Sequence, residues 1–184
     1  MQSYKDFKKG YLNEWVDRSQ AARKAAEELA KKDTTSLRDK YSYDAQNPDL
    51  VFTLDGHEVE FKAKNEEKSN GIPYFSYDQA IACQKDGWRL PTAKELRALC
   101  EYPRKFENKE YIIDNRLKLP AEGFRDCDCH GLNFVGYFGR YWSLDPDEDF
   151  EYANFLELGD DGYAGVRSSF KCKGHSVRLV RDVK

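Results

Sequence analysis

The stretch that decides the fold is Gly87-Trp88-Arg89-Leu90-Pro91-Thr92-Ala93-Lys94-Glu95-Leu96-Arg97-Ala98-Leu99. Thr92 and Glu95, three residues apart, form a capping box, in which each side chain accepts a hydrogen bond from the other residue's backbone N–H. Leu96 and Leu99 recur at helical spacing and form the buried side. Pro103 ends the helix. The stretch therefore predicts a helix that begins after Thr92 and packs one face on a core.

A second helix is predicted just upstream. Ser76 and Gln79 give another capping box. We expect this helix to run to about Lys85 and to stop at the turn residues Asp86-Gly87.

The remaining patterns indicate strands. Asp55-Gly56 separates two alternating runs at 50–54 and 57–62, which is a strong hairpin signal. Further strands are predicted at 119–125, 140–144, 152–158 and 176–180. Glycines concentrate after residue 120, which is typical of a loop-rich β region.

Residues 1–45 are predicted to be a helical segment that precedes a domain at 50–184. Tyr4, Phe7, Tyr11 and Trp15 recur at helical spacing. The apolar stripe is narrow, which leaves two interpretations open. The helix docks on its own domain, or it serves as an attachment or oligomerisation element.

Charge and hydropathy exclude two classes of partner. The chain has 30 Lys+Arg and 33 Asp+Glu, a net charge of −3, whereas a general nucleic-acid binder usually has a basic excess. Neither a secretory signal nor a membrane span is predicted, because the necessary apolar runs are absent from the sequence. We expect synthesis in the cytoplasm and no membrane insertion.

Four blocks follow one another along residues 73–182. The first block is 87–92, followed by Glu95, Leu96 and Leu99, and the second is 119–125. The third consists of Gly136, Gly139 and 141–143, and the fourth is 174–181. Together they resemble the Fibrobacter succinogenes major paralogous domain family. That resemblance implies an α+β, C-type-lectin-like fold, with two helices beside a twisted antiparallel sheet and long loops that form a ligand face. The formylglycine-generating enzymes and the variable proteins of diversity-generating retroelements share that fold.

The resemblance also implies a function. Members of the family are mostly binding or surface proteins of bacteria and their phages. In the retroelement-diversified relatives, the C-terminal segment carries the ligand-contacting positions. We therefore predict a non-enzymatic protein that binds a bacterial surface glycan or protein and is associated with a phage or another particle. The alternatives are a structural or decoration component of a virion, and, more distantly, a cysteine- or metal-dependent enzyme of the formylglycine-generating type.

The predicted binding residues lie between Trp142 and Ser176. They are Asp147, Asp149, Tyr152, Asn154, Tyr163, Arg167, Ser169 and Lys171. Rigid aromatic side chains offer contact area at low entropy cost, while short polar side chains adapt their hydrogen bonds. The alternative is that these residues are ordinary solvated loops. Trp88 and Trp142 are interpreted as core anchors, and Arg89 is expected to pair with Glu95.

No metal or cofactor is predicted. The cysteines and histidines at 127, 129, 130, 172 and 175 do not match the spacing of a zinc module. The acidic run at 145–149 lacks the glycine and glutamate of an EF-hand loop. Five cysteines and no signal peptide argue against a disulfide framework, although a pair that oxidises outside the cell stays open. No P-loop, GxSxG or HExxH motif is present, so we expect no enzymatic activity.

Overall fold

The structure is a computed structural model and describes residues 47–127 and 131–183. The predicted helical segment at 1–45 lies outside the described residues. Strand accounts for 45 % of the structure and helix for only 11 %. The predicted fold class is therefore wrong. The domain is mostly β and consists of several small antiparallel sheets, unlike a two-helix α+β domain of the C-type-lectin kind.

Eleven strands are present in the described ranges. They are β1 (Val51–Leu54), β2 (His57–Phe61), β3 (Arg104–Glu107), β4 (Glu110–Ile113), β5 (Leu117–Pro120), β6 (Phe124–Arg125), β7 (Leu132–Asn133), β8 (Phe138–Pro146), β9 (Tyr152–Gly159), β10 (Ala164–Phe170) and β11 (Val180–Asp182). Their sheet orders are β1-β2-β11, β10-β9-β8, β3-β4-β5 and β6-β7. All paired strands are antiparallel.

The two predicted helices exist but are short. α1 (Tyr77–Ile81) and α2 (Ala93–Leu99) both begin with the predicted capping boxes. α1 ends four residues before the predicted Lys85, which instead pairs with Trp88 across a tight turn. Asp86 and Gly87 take positive φ values of 54° and 80° in that turn. A capping box marks where a helix begins and says nothing about its length, which is why the helical content was overestimated.

The predicted hairpin is confirmed. β1 and β2 pair with Leu54 opposite His57, and Asp55 and Gly56 both take positive φ, as the two-residue hairpin turn requires. Residues 104–120, which carry no strand prediction before Leu119, form the meander β3-β4-β5.

Two apolar clusters form the core. The larger lies between α2 and three sheets, and Phe52, Leu96, Tyr111 and Leu156 are among its members. The smaller surrounds Trp142, which is completely buried as predicted. Trp88 is only partly buried, and Arg181 lies 4.7 Å from the centre of its ring. In the described part of the chain, no helix has the length and apolar character needed to cross a membrane.

Candidate functional site

The candidate site is an open cavity of about 670 Å³ beside α2. Six segments meet there: the β1–β2 turn, the loop before α2, α2 itself and the ends of β8, β9 and β11. The lining residues are Asp55, His57, Arg89, Thr92, Ala93, Lys94, Glu95, Arg97, Asp145, Asn154 and Asp182. All of them except Ala93 are polar or charged, whereas most small-molecule sites are largely apolar.

Glu95 is the buried centre of the cavity wall. The capping box draws its Oε2 to 2.6 Å from the backbone nitrogen of Thr92, which donates the hydrogen bond. Arg89 donates two more hydrogen bonds to the carboxylate, of 2.9 and 2.7 Å. The predicted Arg89–Glu95 ion pair is thus confirmed. Burial raises the pKa of Glu95, but the hydrogen bonds from Arg89 and Thr92 outweigh it and leave that pKa below its usual value.

His57 and Asp182 complete a charged cluster around Glu95. Nε2 of His57 lies 2.8 Å from Oε1 of Glu95 and 3.9 Å from Oδ1 of Asp182. Arg89 Nη2 donates to the same Asp182 oxygen at 2.5 Å. The hydrogen bond to Glu95 raises the pKa of His57. The same partners raise the pKa of Arg89, so the guanidinium is charged at every physiological pH.

The cluster contains residue types that can ligate a metal ion. Ligand atoms of His57, Glu95 and Asp182 lie within 4.8 Å of one another. However, Arg89 Nη2 is bonded to both carboxylates at once. Its fixed positive charge occupies the place that a metal ion would take between two carboxylates. The arrangement therefore fits an internal ion-pair network better than a metal site.

The opposite wall of the cavity is built by Asp145 and Asn154. The Asp145 carboxylate accepts a short hydrogen bond from the backbone nitrogen of Ala93. Asn154 Nδ2 donates to the carbonyl of Pro146 at 3.1 Å. This is the one bond that the described structure gives the Asn154 side chain, so its Oδ1 and second N–H remain open to a ligand.

An aromatic pair lies on the same face of the sheet as Asn154. Tyr152 is paired in register with Phe170, and their ring centres are 4.3 Å apart. Phe170 is 40 % exposed. Because side chains alternate along a strand, Tyr152 and Asn154 point to one side of β9. The pair therefore extends the polar cavity wall with an apolar surface.

The acidic turn before β9 is held by its own side chains. Asp147 accepts from the backbone nitrogen of Asp149, and Asp149 accepts from that of Glu151. Lys171 closes the turn by donating from Nζ to the carbonyl of Phe150 at 2.6 Å. Three predicted residues thus lie together beside Tyr152.

The other three predicted residues lie elsewhere. Arg167 and Ser169 pair with Phe155 and Ala153, which places them on the opposite face of the sheet from Tyr152. Ser169 is buried, and Arg167 is held by Tyr163, whose hydroxyl lies 2.9 Å from Nε. The eight predicted positions are therefore divided between two faces.

Sequence reasoning missed most of the cavity. His57, Lys94, Arg97 and Asp182 carry no local motif that marks them as site residues. Arg89 and Asp182 meet across 93 residues of sequence. The sequence signals that do fall in the cavity are Asn154, which is predicted to bind ligand, and the Arg89–Glu95 pair, which is predicted to be structural.

The cysteines contradict one expectation. Cys127 and Cys172 form a disulfide across 45 residues, although a disulfide framework was not predicted. Backbone bonds between Arg125 and Gly174 bring the two segments together. Cys129 and His130 lie outside the described residues. His175 is completely buried, and neither ring nitrogen has a hydrogen-bond partner.

A separate apolar surface is formed by the loop between β6 and β8. Leu132, Phe134, Val135 and Tyr137 are each at least half exposed. Residues 134–137 of this loop are held by hydrogen bonds. Tyr111 and Asp160 both donate to the carbonyl of Tyr137, and Phe134 takes a φ of 56°, which is rare for a bulky residue.

Comparison with known protein families, with curated proteins and with solved structures gives no match. The family resemblance described above therefore stays a prediction from the sequence blocks, and so do the phage or particle association and the bacterial ligand that it implies. Any function proposed for the chain rests on the geometry of its own residues.

Proposed function

We propose that this chain is a non-enzymatic binding protein and that its ligand is a glycan. The observation that carries the proposal is the open, almost wholly polar cavity, in which Asn154 has unused hydrogen-bonding atoms. Asp145 and Thr92 line the same cavity. The sequence predicts either a glycan or a protein as the ligand, and the polar wall of the cavity favours the glycan.

The chemistry of the wall matches a polyhydroxylated ligand. Each sugar hydroxyl both donates and accepts a hydrogen bond, so it needs donors and acceptors side by side. The cavity supplies carboxylates, an amide, a hydroxyl and cationic side chains. The adjoining Tyr152–Phe170 pair offers aromatic faces, whose partial negative charge attracts the weakly positive C–H groups of a sugar ring.

The state of His57 supports binding over acid–base catalysis. Its Nε2 faces the Glu95 carboxylate, and its Nδ1 lies 3.4 Å from the carbonyl of Asp55. Both ring nitrogens therefore face acceptors, which favours the protonated ring. A protonated ring held in this way has no free lone pair with which to act as a general base.

The test is a screen of the full chain against an array of bacterial glycans, followed by calorimetry with the oligosaccharides that bind. Asn154→Ala should weaken binding at least tenfold, since it removes hydrogen bonds that only the complex completes. Asn133→Ala is the matched control, because Asn133 lies on β7, outside the cavity, and its side chain donates to Asp126. If no glycan binds, the proposal is wrong. If Asn154→Ala binds normally, the cavity is not the site.

A second candidate function is supported by the loop that carries Leu132, Phe134, Val135 and Tyr137. Exposed apolar side chains are typical of protein contacts, and the hydrogen bonds that hold residues 134–137 reduce the entropy lost on binding. This favours a structural role, in which the loop contacts another protein of an assembly. Val135→Asp should then abolish assembly with that protein, whereas Phe150→Asp, at an exposed residue outside the loop, should not.

A further inference from the structure

We propose that the glycan bound in the cavity carries an anionic group and that Lys94 and Arg97 bind this group. This inference rests on the proposed function and names the class of sugar that the same site selects. It follows from which charges in the cavity are already paired and which are not.

The carboxylates deepest in the cluster are engaged. Glu95 is 1 % exposed and is held by Arg89 and His57. Asp182 is bonded to Arg89 at 2.5 Å. The positive charges of Arg89 and of the protonated His57 ring balance these two carboxylates, so this end of the cavity has no strong charge left for a ligand.

Lys94 and Arg97 are in a different situation. Both line the cavity, both are exposed, and they lie three residues apart on one side of α2. Within the described residues, neither has an ion-pair or hydrogen-bond partner for its side chain. Two neighbouring cations without partners are suited to bind a carboxylate, a sulfate or a phosphate group.

The remaining acidic side chains orient the ligand. Asp145 lies on the wall that also carries Asn154, and Asp55 lies in the β1–β2 turn. These carboxylates accept hydrogen bonds from sugar hydroxyls and repel an acid group. The acid group is therefore directed to α2 while the ring hydroxyls face Asp145 and Asn154.

The chain as a whole is slightly acidic, with a net charge of −3. A chain with this balance has no general affinity for polyanions, so a preference for acidic sugars must come from a local arrangement of charges.

The experiment compares oligogalacturonate with its methyl ester, which keeps the ring and hydroxyls but loses the charge. Chondroitin sulfate oligomers test the sulfate source, and dextran oligomers are the neutral reference. The full chain should bind at least one acidic probe tenfold or more tightly than the neutral probes. A preference for chondroitin sulfate over unsulfated chondroitin, which keeps the same sugars and carboxylates, supports the anionic class and identifies sulfate as the group.

Two double variants test the residues. Lys94→Ala with Arg97→Ala should remove the preference for acidic probes, since alanine keeps the helix. Lys85→Ala with Lys118→Ala removes the same charge from exposed positions outside the cavity. This control variant should keep the preference for acidic probes. Equal binding of acidic and neutral probes overturns this inference and leaves the proposed function intact. The same loss in both variants also overturns it. Failure of every probe and of the glycan array overturns the proposed function itself.

Discussion

Nε2 of His57 lies 2.8 Å from Oε1 of Glu95, and the two side chains differ sharply in exposure: His57 is 44 % exposed and Glu95 only 1 %. The contact joins the start of β2 to α2 across 38 residues. It also places a histidine with a raised pKa next to a carboxylate whose pKa is lowered. The free energy of unfolding should therefore depend on pH through the protonation of His57.

The first prediction concerns His57. The pKa of His57 is raised in the folded chain above its ordinary value of 6.5. The protonated ring therefore makes its full contribution to the free energy of unfolding below pH 6.5. That contribution is lost as the pH rises through the pKa of the folded chain. His57→Gln should therefore cost more stability at pH 5.5 than at pH 8.5. We expect a difference of about 0.5 kcal/mol, because water screens a half-exposed pair. Urea unfolding at both pH values measures it, and an equal cost at both would contradict the prediction.

The second prediction concerns Glu95. Glu95→Ala leaves Arg89 without its main partner and removes the capping bond to Thr92. Loss of one member of a buried pair costs about 3–5 kcal/mol. The midpoint of urea unfolding should fall accordingly. Glu107→Ala is the control, because the Lys105–Glu107 pair is exposed and such pairs contribute at most about 1 kcal/mol. Similar midpoints for the two variants would rule out Glu95 as the centre of the cluster.

The third prediction concerns the buried ring of His175. It lies 4.3 Å from Trp142 and 4.7 Å from Phe155, measured between ring centres, without a polar partner. A buried polar group without a hydrogen bond costs about 1–3 kcal/mol. His175→Phe should therefore raise the melting temperature at pH 7. Phe155→His, the reverse change in the same cluster, should lower it.

The same residue predicts a dependence on acid pH. Burial lowers the pKa of His175 well below 6.5. The unfolded chain then binds a proton that the folded chain does not, so stability falls as the pH drops below about 6.5. The slope contributed by this group should approach about 1.4 kcal/mol per pH unit. Unfolding measured from pH 7 to 5 should show a shallower slope for His175→Phe, and identical slopes would exclude His175 as the source.

The fourth prediction concerns the disulfide. Cys127 and Cys172 enclose a long loop, and breaking such a bond typically costs about 2–5 kcal/mol. Replacing both cysteines by serine should lower the unfolding midpoint while the β content stays unchanged, because Arg125 and Gly174 remain paired through their backbones. Loss of the circular dichroism signal in native buffer would show that the disulfide is needed for folding. The free Cys83 and Cys100 allow a control with serine at those two positions.

The sequence by itself determined the local features of this protein. The Asp55-Gly56 turn, the capping boxes at Ser76 and Thr92 and the burial of Trp142 follow from interactions within a few residues or from the size of one side chain. Local hydrogen bonds and backbone preferences need no distant partner, so a sequence shows them directly.

Only the tertiary structure decided the rest. How far each helix runs, how the strands are ordered and which residues line the cavity depend on segments far apart in the chain. Asp182 is bonded to Arg89 across 93 residues of sequence. Tyr152 and Arg167 belong to neighbouring strands but lie on opposite faces of the sheet. No short-range pattern encodes these relationships, because burial and charge pairing are set by the packing of the whole domain. The mostly β architecture and the charged cavity beside α2 are the result.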